Sequence, residues 1–354
     1  MSLTFVVGTS RCGSTMLSIM LSVHPEVLSI SEFWNIFIDT EGRIPTHDMT
    51  GDEFWQRISK PAPLYDGLVS AGLTVDEKIF PSRFSYETGM PSFCRILAWS
   101  LDTDASPDPL YDSLAEEACG WPERSLAEHC RALFESLAAR QGRRVIVERT
   151  GGSMYQIGFL LKHFPDARFV FLHRNGPDTV LSMSRYPHVR LAALRELAAS
   201  LASSSSAELD MVPPELRKKS QADFSGIIEP PFDKERFREF PIPLSYYAGM
   251  WSTMTRMGTR EIRTVAPDKR ITLRYERLLT DTRAELTRLT DFIGVAAVDQ
   301  WLDWASGFAN PGRIGSAARL HPLDLAELRS ACTSGNRAFD LLEAEQAASP
   351  SPLR

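Results

Sequence analysis

The stretch Leu3-Thr-Phe-Val-Val-Gly8-Thr-Ser-Arg11-Cys12-Gly13-Ser14-Thr15 decides how the rest of the chain is read. Leu3 to Val7 is a short apolar run rich in β-branched and aromatic residues, which predicts a strand buried on both faces. Gly8 to Gly13 is a compact polar loop, and Thr15 to Val23, with Met16, Leu17, Ile19, Met20 and Leu21, predicts a buried helix. A strand, a glycine-bounded loop and a helix N-terminus together make an anion site. Unpaired backbone N–H groups and the helix dipole both point at the loop.

The spacing matches the triphosphate-binding loop G-x-x-x-x-G-K-[ST], but Ser14 stands where that loop has its lysine. Without the lysine an ATP or GTP chain loses its main cation. Arg11 supplies a cation earlier in the loop. The loop is therefore suited to a phosphate whose outer neighbour is not a γ-phosphate.

Downstream, His24-Pro25 stops the helix, and Val27 to Ile30 predicts a second strand ending at Ser31-Glu32. Ser125 to Gln141 is amphipathic, with Ser125 as N-cap, Glu128 three residues on and Gly142 as its stop. Arg143 to Val147 predicts a strand delivering Glu148-Arg149-Thr150, and Tyr155 to Phe164 a helix. Arg168 to Leu172 predicts a strand followed by His173-Arg174, then a helix through Ser184. Ile271 to Leu273 resumes as a strand, with Tyr275 at its end, and Thr282 to Ile293 is a helix stopped by Gly294. Such alternation predicts an α/β fold: a P-loop-type parallel β-sheet flanked by helices, with ligands at the carboxyl ends of the strands.

Two stretches depart from the alternation. Residues 35–123 are irregular and aromatic, with Trp55, Tyr65, Phe80, Phe84, Tyr86, Phe93, Trp99 and Trp121, and suit either a cap over a pocket or a poorly periodic helical subdomain. Residues 186–250 carry Ser203 to Ser206, Pro213-Pro214 and Pro230-Pro231, the pattern of a flexible polar insertion. The expected organisation is one domain over residues 1–345, with both insertions forming a cap over an acceptor pocket and a disordered tail at 346–354.

With 354 residues, 43% of them hydrophobic, the chain can bury a sizeable core. A net charge of −6 argues against a general nucleic-acid binder. No apolar run approaches the ~18 residues of a membrane span, and the first strand starts at residue 3, so a cytoplasmic protein without membrane attachment is expected. The five cysteines never fall in C-x-x-C spacing, which suggests neither a disulfide framework nor a zinc site.

Ser10-Arg11-Cys12-Gly13-Ser14-Thr15-Met16-Leu17, then His24-Pro25-Glu26-Val27 and Glu32, resembles the opening of sulfotransferases that use 3′-phosphoadenosine-5′-phosphosulfate (PAPS), in their bacterial, tyrosylprotein-sulfotransferase-like branch. Phe171 to Ser182, with an arginine and a serine eight residues apart, is similar to that family's 3′-phosphate motif. Arg274-Tyr275-Glu276-Arg277-Leu278 with Phe292-Ile-Gly294 resembles its late strand–helix segment.

The resemblance implies a PAPS donor held by Arg11, Cys12, Gly13, Ser14, Thr15, Arg174, Ser182, Tyr275, Arg313 and Ser316, with no metal. It also implies Glu32 as the base for an acceptor hydroxyl, with Arg11 and Arg149 on the transferring group and leaving oxygen. Glu32, followed by Phe33 and Trp34, is expected to be a buried carboxylate. Arg149 stands where the family usually has lysine, and its planar fork protonates a leaving oxygen poorly. The acceptor is expected to be a small molecule with a hydroxyl, apolar or aromatic if residues 35–123 shape its pocket. His24 and His173 read as structural. Two other readings stay open: a lysine-less P-loop kinase, and a non-catalytic binder of an adenosine bisphosphate.

Overall fold

The computed structural model describes residues 1–37, 44–74, 80–101, 105–202, 212 and 214–348. Five parallel strands, β1 (Ser2–Gly8), β2 (Val27–Ser31), β3 (Val145–Arg149), β4 (Arg168–His173) and β5 (Arg270–Arg274), form one sheet in the order β2-β3-β1-β4-β5. β1 lies at its centre. The chain leaves β1 for β2 on one side and later crosses to β4 on the other. That reversal opens a crevice at the carboxyl end of β1.

Register brings the functional ends together. Val6 and Ser31 both pair with Arg149, Gly8 pairs with Leu172, and His173 pairs with Arg274. Residues 9–13, 32, 150–151, 174 and 275 therefore leave the sheet along one edge. β1 is buried on both faces as its composition predicts: Leu3, Phe5 and Val7 enter one core and Val6 the other.

Helix α1 (Ser14–Ser22) follows the loop directly. In the first insertion α2 (Gly51–Ile58), α3 (Pro63–Ser70), α4 (Ser92–Ser100) and α5 (Asp108–Cys119) make a helical subdomain. Among the described residues, none of its aromatic side chains lines the cavity described below. Trp55 and Phe93 are buried in the sheet's own core, and Phe80, Phe84, Tyr86 and Trp121 pack against it. Burying such rings stabilises by about 1.5–3 kcal/mol each. Tyr65 instead stacks on His188 at 4.8 Å.

Helix α6 (Leu126–Arg140) carries the predicted capping box between Ser125 and Glu128. After α7 (Ile157–His163) and α8 (Gly176–Ser184), the described part of the second insertion is made of short helices and 3-10 turns joined by loops. Ser203 to Ser206 lie outside the described residues. Leu191, Leu194 and Leu197 of α9 (Pro187–Ala202), with Phe224, Ile227 and Phe237, share a core with Leu68 and Leu73 of the first insertion. α10 (Lys234–Glu239) closes that core, and α11 (Leu244–Ile262) sends Tyr247 and Trp251 inward.

α12 (Tyr275–Thr280), α13 (Thr282–Ile293) and α14 (Asp299–Phe308) complete the second face of the sheet. α15 (Pro322–Ala348) packs on α8 and α11. The tail expected to fray from residue 346 begins inside α15: Gln346 Oε1 accepts from Thr272 N and Oγ1 at 2.7 and 2.8 Å. Among the described residues no helix is long and apolar enough to cross a membrane.

Candidate active site

The loop after β1 is held by its neighbours' side chains as much as by its own sequence. Gly13 precedes α1 with φ +96° and gives the helix no side-chain cap, so its first N–H groups remain available to an anion. Ser14 and Thr15 open the helix, and with Ser10, Arg11 and Gly13 they line a cavity of about 450 Å³. Cys12 does not line it. Its side chain is fully buried in the core behind the loop, so its expected part in holding the donor reduces to a backbone N–H.

Glu32, Arg149, Arg174, Ser182, Tyr275, Arg313 and Ser316 line the same cavity, so the remaining expected residues meet at one place. At one end Glu32 and Arg149 form an ion pair. Glu32 Oε2 also accepts from Asn35 Nδ2 at 2.7 Å and from Gly151 N at 2.9 Å. Arg149 is 4% exposed, and its Nε donates to Ser18 Oγ at 3.1 Å.

The Glu32 side chain is 37% exposed, so it is not the buried carboxylate expected from its aromatic neighbours. That carboxylate is Glu148, 1% exposed, whose pKa burial pushes up to about 8. Phe33 and Trp34 point away into the core while the Glu32 backbone, at φ +64°, turns its side chain to the cavity.

Arg174 occupies the other end. It is 9% exposed, lies 4.7 Å above the Tyr275 ring, and donates from Nη2 to Arg313 O at 3.2 Å. Among the described residues no acceptor meets its buried Nε. Arg313 and Ser316 are brought there by Asp178 of α8, which accepts from Gly315 N at 2.7 Å, Ala317 N at 2.8 Å and Ser316 Oγ at 3.2 Å. Arg11 lies between the two ends but has its partners on the Arg174 side. Its Nε donates to Ser182 Oγ at 3.1 Å and its guanidinium lies 4.3 Å from the Tyr186 ring centroid. Among the described non-glycine residues only Arg11 and Glu32 have positive φ, and both are here.

Sequence reading missed Ser18, Asn35, Gly151, Asp178, Arg185 and Tyr186. Only their position beside motif residues marked them. His24 and His173 are structural, as read. His24 Nε2 bonds Ala296 O at 2.9 Å beneath Trp301. His173 stacks on Phe339 at 3.8 Å, and burial with Arg274 nearby lowers its pKa to about 3. A wider surface depression of about 1040 Å³ is lined by residues 279–284, 287, 288, 291 and 306. Its Arg283 is engaged with Asp299 and Asp303, and the sequence marks no chemistry there.

The fold and site define an α/β protein with a strand–loop–helix anion site, lined by arginines and facing one carboxylate. A model of a sulfotransferase family matches residues 90–204, about a third of the chain, and over that segment the chain is similar to that family. The match includes β3, β4 and the run from Arg174 to Ser182. None of the curated proteins matches the chain. Among solved structures it is similar to the sulfotransferase domain from the Synechococcus PCC 7002 olefin synthase, at 16% identity, with 94% of each chain covered and a TM-score of 0.46. It is also similar to the sulfotransferase domain from the curacin biosynthetic pathway, at 14% identity, 99% of each chain and a TM-score of 0.47. A sulfotransferase from Alicyclobacillus acidocaldarius shares 15% identity over 97% of this chain and 96% of its own, with a TM-score of 0.41.

Proposed function

We propose that the protein transfers the sulfuryl group of PAPS to a hydroxyl of a small-molecule acceptor, with Glu32 as the base. The observation that carries this is the shared cavity: the Glu32–Arg149 pair at one end and the buried, unpartnered Nε of Arg174 at the other. The residues fit a donor with two separate anionic groups. The uncapped start of α1, with Ser14 and Thr15, would take the 5′-phosphate, and Arg174 with Ser182, Arg313 and Ser316 the 3′-phosphate.

PAPS, when bound, supplies a sulfuryl group on a phosphate leaving group. Sulfuryl transfer asks the protein for in-line positioning and charge stabilisation. Glu32 takes the proton of the attacking hydroxyl, held in place by Asn35 and Gly151. Arg149 offers fixed positive charge beside it, and Arg11 can turn from Ser182 toward the same oxygens. A cytoplasmic setting is part of this proposal, supported by five cysteines that never fall in C-x-x-C spacing.

The test is calorimetric titration with 3′,5′-adenosine bisphosphate and with ATP in EDTA, on the wild type and Arg174→Ala. Bisphosphate binding that the variant loses, with turnover of PAPS abolished in Glu32→Gln, is the expected result. Binding without any Glu32-dependent turnover would favour the non-catalytic reading. ATP binding that appears only with Mg²⁺ would favour the kinase.

A further inference from the structure

The sequence motif Glu148-Arg149-Thr150 places two groups at the end of β3 that the proposed chemistry does not use. Glu148 and Thr150 are each 1% exposed and neither lines the cavity. Their bonds nevertheless converge on the backbone just after Glu32. Glu148 Oε1 accepts from Phe33 N at 3.2 Å and from Thr150 Oγ1 at 2.5 Å, while Thr150 Oγ1 accepts from Trp34 N at 3.2 Å. On the other side of the turn, Glu32 N donates to Arg149 O at 2.6 Å.

Three successive N–H groups of residues 32–34 are thus pinned to three successive residues, the last two of β3 and Thr150 just after it. This explains how Glu32 keeps φ +64°, a conformation that a residue with a Cβ adopts only when its surroundings impose it. Released from the pins, the backbone would relax and carry the carboxylate away from Arg149, Asn35 and Gly151.

We infer that Glu148, acting with Thr150, is a positioning residue that holds Glu32 in its left-handed turn and so aims the base at the acceptor. This rests on the reading of Glu32 as the base. The charged and titratable groups that face Glu148 are Glu32 from the end of β2, Arg149 from its own strand and Cys130 from α6. Burial keeps Glu148 protonated near neutrality, so it holds the turn without adding a second negative charge beside Glu32.

Glu148→Ala, Glu148→Gln and Thr150→Val should be compared for thermal stability, bisphosphate titration and crystal structure. Turnover is read with PAPS and 4-nitrophenol as the hydroxyl probe. Glu148→Ala should lower kcat about 10- to 100-fold, as expected for a misplaced group, with a Kd for the bisphosphate unchanged or tighter. Its crystal structure should show residue 32 outside the left-handed region. Glu148→Gln, which keeps the acceptor oxygen, should restore turnover near pH 7, and the ratio of its rate to that of the wild type should rise above about pH 8. If Glu148→Ala does not fold, Thr150→Val carries the same expectations.

A Glu148→Ala protein that keeps the Glu32 turn and the Arg149 pair, or in which kcat and melting temperature fall while bisphosphate binding weakens with them, would overturn the inference. So would a Glu148→Gln protein as impaired as Glu148→Ala. Failure of the wild type to turn over any PAPS would count against the proposed reaction instead, and the crystal structures would still decide what Glu148 holds.

Discussion

The Tyr275 ring stands in the space that a side chain on Gly13 would need: a Cβ there would lie 2.2 Å from Tyr275 Cδ2. The last residue of the anion loop and the first residue of α12 are thus fitted to each other across the cavity. Arg174 lies over the same ring, so Tyr275 is in contact with the loop on one side and with Arg174 on the other.

Gly13→Ala should therefore cost more than its backbone alone. A non-glycine residue in the left-handed region loses about 1–2 kcal/mol, and the ring or the loop must also move. Expected are a lower melting temperature and loss of bisphosphate binding. Gly142→Ala is the control: its φ is +64° but a Cβ there meets nothing within 4 Å, so it should lose stability and keep binding.

Asp178 ties the loop of Arg313 and Ser316 to α8. Asp178→Ala would leave the Gly315 and Ala317 N–H groups without their acceptor, at about 1–3 kcal/mol for each that stays buried. The expected outcome is weaker bisphosphate binding and faster limited proteolysis around residues 312–317, with β1 and its loop unaffected in hydrogen exchange.

Glu148 makes stability depend on pH. Its folded pKa of about 8 lies above the ordinary 4.5, so between those values the native state holds a proton that the unfolded chain releases. Stability from this group is complete below 4.5 and is lost as pH rises through 8, with a slope approaching ~1.4 kcal/mol per pH unit. Denaturant titrations of the wild type minus Glu148→Gln should show that slope, and a flat difference would refute it.

His173 acts on the acid side. Its folded pKa of about 3 lies below the ordinary 6.5, so as pH falls through that window the unfolded chain takes up a proton that the native state refuses. Stability falls accordingly. His173→Phe, which suits a place between Phe339 and Trp251, should flatten the acid limb and leave bisphosphate binding unchanged.

Every strand of the sheet was legible in the chain, because each is a short apolar run with a polar or glycine-marked end. The capping box of α6 and the stop at Gly294 were equally local, and the structure repeats both. The insertions read less well. Their aromatic residues lack helical periodicity, since several rings point from one short helix to different neighbours. α14 and α15 were missed for a related reason: α15 buries only Leu328, Cys332, Gly335, Phe339 and Leu342 along its 27 residues, and that sparse stripe hardly stands out from its alanines and charges.

The sequence by itself determined the strand–loop–helix turn, the strand ends and four of the arginines that line the cavity, Arg11, Arg149, Arg174 and Arg313, because spacing along a strand, a tight loop and a helix start is a local property. Which carboxylate is buried, which residue Arg11 pairs with, and which turn holds Glu32 were decided only by the tertiary structure. Those depend on β2, β3 and α1 meeting side by side and on α8 meeting the β1 loop, where Glu148, Ser18, Thr150 and Ser182 come within hydrogen-bond reach of residues more than a hundred positions away in the chain. Burial and charge at a site are properties of the neighbours that packing supplies.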